Sequence, residues 1–455
     1  MEAPVVVPGA RHPLVQVRRD RGWSQQGLAD RLCALGATRG VNIATTKRTV
    51  STWENGRHEP DPPAQQLLAV LFGVADGDRA AIPWPEWIPV ERPDLYAPWT
   101  VRSTVAALEG VQRSAHMDRR AFLTITGGTL SAVLHGWLTA DPEAAHAVTR
   151  GRRVGSALLT RIEAHILELQ HADDALGGGD LLGETDAALA LVTHLLGACT
   201  YTDAQARRLF AAAADLGRMA AWGRFDVGRH AAAQTCYHAA LRAAQTSGDR
   251  QLGANTLAFM AIQAYSTGHP RDADNLVRTA QTAVRGNSTP AIDAMLAARR
   301  ARALSKTGDA GACFRELNRA ADLVGDGPGE DDPPWAYWIM RPEILMLTGS
   351  CMLDLGDPKR AQELFTEADR TYGDDYTRTH VLYLSRMSTA LVQQGKIEAA
   401  CAHGDHALDL LDEINSGRGL DHVRDTVTLL APHRNVPAVR DYLDKARNSP
   451  ALRTA

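Results

Sequence analysis

The chain has 455 residues and a formal net charge of −4, with 45% hydrophobic but only 5% aromatic content. That length holds two or three cored domains, and so small a net charge excludes a protein that coats nucleic acid along its whole surface. Six cysteines (33, 199, 236, 313, 351 and 401) stand at least 37 residues apart with no Cys-x-x-Cys pair, which excludes a zinc ribbon and a secreted disulfide framework. No apolar run reaches the roughly 18 residues that span a bilayer, and Met1-Glu2-Ala3-Pro4 does not open a signal peptide. A cytoplasmic protein with reduced thiols and no membrane contact is expected. The charge is uneven: residues 1–60 hold nine basic against five acidic side chains, a surplus of four that leaves −8 for the rest. A basic head on an acidic body fits a DNA-reading module joined to a sensing or assembly module.

Residues 1–11 form a loose lead. Leu14, Val17 and Trp23 then mark a short helix that carries Arg18 and Arg19 and ends at Gly22. Ser24 caps a second helix, Gln25 to about Leu35, with Leu28, Ala29 and Leu32 on its inner stripe. Thr46 caps a third, whose Val50 and Trp53 share an apolar face and whose end falls at Gly56. The opposite face of that third helix carries Lys47, Arg48, Ser51 and Thr52, side chains suited to phosphates and base edges. Leu67 to Val74 reads as a closing apolar helix.

The order helix, Gly, Ser-Gln, Leu-Ala, then Val-Ser-x-Trp-Glu-Asn-Gly-Arg followed by Pro60 resembles the helix-turn-helix of the phage-repressor-like (XRE) family over residues 12–74. The resemblance implies that the second motif helix enters the major groove of double-stranded DNA. By position, Lys47, Arg48 and Thr52 would face bases, Gln25, Thr46 and Arg57 would touch phosphate or the groove edge, and Arg18 and Glu54 would form an internal ion pair. One departure is plain: Ala29 to Val50 spans 21 residues, about ten more than in the family, and includes Gly36-Ala37-Thr38-Arg39-Gly40. A loop or a lengthened helix must replace the tight turn, and such an insertion adds little closure entropy.

Residues 75–117 read as a linker. Pro83, Pro85, Pro89, Pro93 and Pro98 exclude a helix interior, and Trp84, Trp87, Tyr96 and Trp99 between them are expected to dock on a flanking domain. Residues 118–150 follow as an apolar connector helix. Its start, Asp118-Arg119-Arg120-Ala121-Phe122-Leu123, imitates a twin-arginine export signal, but a complete domain precedes it and a buried helix is expected instead. Gly177-Gly178-Gly179 lacks the Gly-Lys-Ser and preceding strand of a phosphate loop and reads as a flexible turn.

From 151 to 447 the periodicity is helical, and it repeats. Gly228/Ala233/Tyr237/Ala240 is echoed by Gly268/Ala273/Val277/Ala280, Gly308/Cys313/Leu317/Ala320, Gly356/Ala361/Phe365/Ala368 and Gly395/Ala400/Gly404/Ala407. Seven residues before each leading Gly sits a small side chain: Ala221, Ala261, Ala301, Gly349 and Ser388. This resembles the tetratricopeptide repeat, in which small side chains let paired helices approach closely. Intervals of 40, 40, 48 and 39 between the glycines exceed the usual length, and the longest holds the acidic stretch from Gly325 to Pro334, which reads as a surface loop. Stacked pairs make a solenoid with a concave face. Counting from the small residue assigns Asn255, Ile262, Tyr265, Arg302, Glu343, Met346, Ser350 and Ser385 to that face, with Asn255, Tyr265, Arg302, Glu343, Ser350 and Ser385 as candidate ligand or partner contacts. Trp335, Tyr337, Trp338 and Met340 cluster beside the acidic loop.

No nucleophile–base arrangement and no His-Glu-x-x-His is present; Cys401 points away from His403 and His406 on a helix, so no metal site is expected there, and neither a cofactor nor an enzymatic activity is expected. The sequence therefore predicts an all-α protein, a helix-turn-helix domain followed by a tetratricopeptide-like α-solenoid. Similar architectures occur in regulators of high-GC actinomycete bacteria and in peptide-sensing regulators. The expected function is sequence-specific transcriptional regulation as a homodimer on double-stranded DNA, with a peptide or small-molecule effector in the repeats. The alternative is a protein-interaction scaffold whose N-terminal motif no longer reads DNA.

Overall fold

The computed structural model describes residues 13–72, 84, 85, 88, 97–115, 125–140, 153–325, 327, 329–370 and 376–453, and its regular structure is helical apart from an isolated bridge between Arg153 and Thr200. The chain divides into two compact units, Met1–Ala97 with Met117–Thr124, and Pro98–His116 with Ile125–Ala455.

The first unit is built from α1 (Pro13–Asp20), α2 (Gln25–Thr38), α3 (Lys47–Glu54) and α4 (Pro62–Phe72). Leu14, Val17, Leu28, Leu32, Val50, Trp53, Leu67 and Leu68 form one core. The expected caps are in place: Ser24 Oγ accepts from Gly27 N, and Thr46 and Thr49 form a reciprocal capping box. The extra residues between α2 and α3 are absorbed both ways, by a helix running on to Thr38 and by a loop folded back on it. Val41 N bonds Gly36 O at 2.9 Å, and a Cβ at Gly36 would meet Ile43 Cγ2 at 2.6 Å, so only glycine lets this loop lie against α2. Arg39 in this inserted stretch is exposed. The closing helix starts earlier than the apolar run suggested, because Asp61 Oδ1 accepts from Ala64 N and Pro62-Pro63 fit the first turn; Val74 lies outside the described residues. Trp84 and Ile88 join this core, whereas Trp87, Tyr96 and residues 118–124, with the paired arginines, lie outside the described residues.

The second unit corrects the linker boundary. Val101–Ala115 is a helix, started where the prolines stop by Thr100 Oγ1 accepting from Ser103 N at 3.2 Å, and it buries Thr104, Leu108 and Val111. Trp99 docks here too: the Arg242 guanidinium lies 4.6 Å from its ring, and Trp99 fills the space a Cβ at Gly136 would need. The expected connector is helical over Gly127–Thr139 and buries Trp137 completely.

After Ser156–Leu176 and Leu182–Ala198 come five helical hairpins: Asp203–Asp226 with His230–Ser247, Arg250–Ser266 with Pro270–Ala283, Pro290–Thr307 with Ala310–Leu323, Arg341–Asp354 with Pro358–Asp369, and Thr377–Gln393 with Ile397–Leu411. The repeat glycines sit in these hairpin turns with φ between +74° and +84°. In each turn the next N–H reaches back five residues, as in Arg229 N to Arg224 O (2.7 Å) and Asp357 N to Met352 O (2.9 Å), the bond that a left-handed residue makes possible at a helix end. Ala233, Ala273, Cys313, Ala361 and Ala400 are wholly buried. Gly349 abuts Phe365 so closely that a Cβ would stand 2.7 Å from its ring. Gly417–Leu430 and Pro437–Asn448 cap the array. The three-glycine turn is not a flexible one: a Cβ on Gly178 would lie 2.7 Å from Gly223 Cα, and one on Gly179 2.6 Å from Asn415 O. Glycine serves here to bring backbones together.

Among the described residues, no helix is long and apolar enough to cross a membrane.

Candidate functional sites

On the first unit, the candidate face lies on α3. Lys47 and Arg48 are exposed at its start, and Arg57 is exposed just after its end. Thr46 Oγ1 is occupied by the capping box, and Thr52 Oγ1 donates to Thr49 O at 2.7 Å, half-buried. Gln25 is drawn inward: its Nε2 donates to Glu54 Oε2 at 2.6 Å. Arg18 Nε donates to Glu54 Oε1 at 2.5 Å and its Nη2 to Oε2 at 3.2 Å, so the expected ion pair is present and buried. It ties α1 to the C-terminal end of α3 and thereby sets how far α3 stands out from the unit.

The second unit holds a concave pocket of about 1060 Å³ when its open mouth is counted. Its walls come from the first helix of each hairpin, from Ser156–Leu176, from the 334–340 insertion and from Arg418. The pocket is closed because Ser156–Leu176 meets Thr377–Gln393: Arg378 Nη1 lies 3.0 Å from Asp173 Oδ2. Tyr337 Oη donates to Asp174 Oδ2 at 2.5 Å, fastening the insertion to the same helix.

Part of the row assigned to the concave face lies in this lining. Ile262, Tyr265, Glu343 and Met346 line the pocket, as do Trp335, Tyr337 and Trp338. Four nominated contacts do not. Arg302 is buried and paired with Asp354; Ser350 and Ser385 lie beneath the lining, donating to their own helix carbonyls; Asn255 is 1% exposed, with neither amide atom partnered among the described residues. The row that was missed stands two residues before each small residue: Met219, Phe259, Arg299, Leu347 and Arg386. Reading one helical row further round would have found it.

Five arginines (218, 299, 378, 386 and 418) line the pocket against three carboxylates (Asp173, Asp174 and Glu343). Arg218 pairs with Asp215, Arg299 with Glu343 and Arg378 with Asp173. Arg386 donates only to Ser350 Oγ at 3.1 Å, and Arg418 lies 4.8 Å from the Trp222 ring and 5.1 Å from Phe225; among the described residues neither has a carboxylate within ion-pair distance. Burial first, and then the neighbouring Arg302, push the Arg386 guanidinium down to about 10. His422 is held well below its ordinary value by burial and then by Arg386 and Arg418. Burial lifts Asp174 to about 6 in spite of Arg378 and the Tyr337 hydroxyl. Trp222, flanked by Arg378 and Arg418, leads through Phe259 (4.9 Å between centroids) to Trp338 (6.1 Å), giving the pocket an aromatic wall.

No group of three His, Cys, Asp or Glu that could hold a metal occurs among the described residues; Cys401 is buried in the core while His406 is exposed.

Residues 14–79 match the family described as SP15 N-terminal domain. That description differs from the phage-repressor-like one suggested by the motif. A comparison with curated proteins finds no match. Among solved structures, the crystal structure of the P58(IPK) TPR domain at 2.5 Å is 14% identical, with 85% of this chain and 92% of that chain covered at a TM-score of 0.20.

Proposed function

We propose that this chain is a binding protein of two working parts: a helical-repeat unit that takes up a peptide or small ligand in its concavity, and an N-terminal unit that sets α3 against duplex DNA. The observation that carries the reading is the concave pocket, enclosed by helices far apart in sequence and lined by two arginines, 386 and 418, that have no ion-pair carboxylate among the described residues. Lys47 and Arg48 at the exposed start of a capped helix support the DNA-reading part. So short a face touches few bases, so binding by a homodimer to paired half-sites about 34–36 Å apart is expected.

A second reading, a protein-interaction scaffold without specific DNA binding, is favoured by α3 itself. Gln25, Thr46 and Thr52 all spend their polar groups on the fold, which leaves Lys47, Arg48 and Arg57 as the nominated contacts with free heads. Selection of bound duplexes from a random pool, followed by titration of Lys47→Ala with Arg48→Ala, separates the two. Regulation predicts an enriched sequence and a loss of about 1–3 kcal/mol per base contact removed. A scaffold predicts no enriched sequence and an affinity the substitutions leave unchanged.

A further inference from the structure

We propose that the concave pocket binds a small organic anion on a flat aromatic body, its charge held by Arg386 and Arg418 and its ring by Trp222, Phe259 and Trp338. This rests on the reading of the concavity as a recognition site and gives that site its ligand class.

The argument begins with charge. A buried guanidinium without a counter-ion is costly, and folds ordinarily supply a carboxylate. Here three of the five lining arginines have one and two do not. Asp215 and the buried Asp226 stand behind the lining, so Arg386 and Arg418 mark a place for an anion without fixing its charge, and the planar guanidinium fork suits carboxylate and phosphoryl oxygens alike. A second observation points the same way. Trp222 lines the pocket at 7% exposure and its indole N–H has no acceptor among the described residues; the Nε of Arg299, equally buried, also lacks one there. An oxygen-bearing ligand that reached either group would supply the acceptor it lacks. The aromatic wall beside them would pack a ring, with Trp338 half-exposed at its end.

A peptide fits less well. An extended backbone needs a row of polar partners along the face, yet Asn255, Ser350 and Ser385 are buried beneath the lining. What reaches the cavity is chiefly guanidinium and ring, deep within a closed wall.

The test is titration calorimetry of the full chain with phenyl phosphate, phthalate, inorganic phosphate and phenol, and with an aspartate- and glutamate-rich hexapeptide. Phenyl phosphate or phthalate should bind at least about tenfold more tightly than inorganic phosphate or phenol, and Arg386→Gln or Arg418→Gln should each weaken it about tenfold or more. Which of the two anions binds better tells phosphoryl from carboxylate. Both variants should melt close to the parent in anion-free buffer, since each half-buried cation gives up only a hydrogen bond to Ser350 (Arg386) or its ring contacts (Arg418); a large fall in melting temperature would make these arginines structural and overturn the proposal. So would phenol binding as tightly as the anions, or binding that neither substitution weakens. Arg-sensitive binding of the hexapeptide that phenyl phosphate cannot displace would overturn the small-anion class and leave the recognition site standing, whereas silence from every probe would overturn both.

Discussion

Arg378, near the start of Thr377–Gln393, lies 3.0 Å from Asp173 near the end of Ser156–Leu176, joining residues 205 apart in sequence. Through this pair the repeat array closes on the helix that precedes it, and the concave face becomes a pocket. Both side chains are largely buried, so removing the cation leaves Asp173 without its ion pair and Asp174 with the Tyr337 hydroxyl alone. Arg378→Met should cost about 3–5 kcal/mol. Combining it with Asp173→Asn should cost less than the two losses added, because the carboxylate that most needs the arginine is then absent. Denaturant melts of the four proteins measure the coupling; additive losses would mean that the pair does not hold the closure.

The neighbouring carboxylate sets a pH dependence. Asp174 is lifted from 3.8 to about 6 by burial, so the folded state binds this proton more tightly than the unfolded chain does. Stability from this group is present below the unfolded value near 4 and is lost as pH rises through about 6. Asp174→Asn removes that loss. The variant should match the parent near pH 3.5 and exceed it above pH 6.5, by on the order of 1–3 kcal/mol. Melting temperatures of both proteins across pH 3.5–8 test this, and a constant difference would place the titration elsewhere.

The hairpins were legible because their physics is local. A glycine at each turn and a small residue seven before it are required by one left-handed backbone position and one close approach, and both show in the sequence as fixed spacing. The pocket was legible only in part. Its lining mixes two helical rows, and the row holding Phe259, Arg299 and Arg386 carries no common residue type, so spacing alone did not mark it. The closure by Asp173 and Arg378, and the seating of Trp222 between Arg378 and Arg418, depend on contacts across hundreds of residues that no periodicity records. Val101–Ala115 was hidden for a different reason: its cap, Thr100 with Ser103, directly follows a run of prolines that reads as linker.

Close packing inside the fourth hairpin gives a further test. A Cβ on Gly349 would stand 2.7 Å from Phe365 Cε1 and 2.9 Å from Cδ1, and Phe365 is wholly buried. Gly349→Ala improves helix propensity by about 1 kcal/mol, but overpacking typically costs 1–3 kcal/mol, about as much or more. Net destabilisation is expected, and Phe365→Leu should relieve part of it. Thermal melts of the single and double variants decide; a more stable Gly349→Ala would mean that the two helices separate freely.

In the first unit, Glu54 is the acceptor on which α1, α2 and α3 converge. It takes Arg18 Nε at 2.5 Å and Gln25 Nε2 at 2.6 Å while only 7% exposed, and Arg18 also donates to Trp23 O at 2.7 Å. Glu54→Ala leaves a buried guanidinium and an unpaired amide, a loss of about 3 kcal/mol or more. Glu54→Gln keeps one oxygen for Arg18 and should lose less. Because the two compact units have separate cores, the damage should stay local. Hydrogen exchange of the full chain should lose protection in residues 13–72 with the hairpins unchanged. If the alanine variant kept full protection there, the ion pair would not be what holds α1 against α3, and the exposure of Lys47 and Arg48 would have to be set by the Val50–Trp53 face alone.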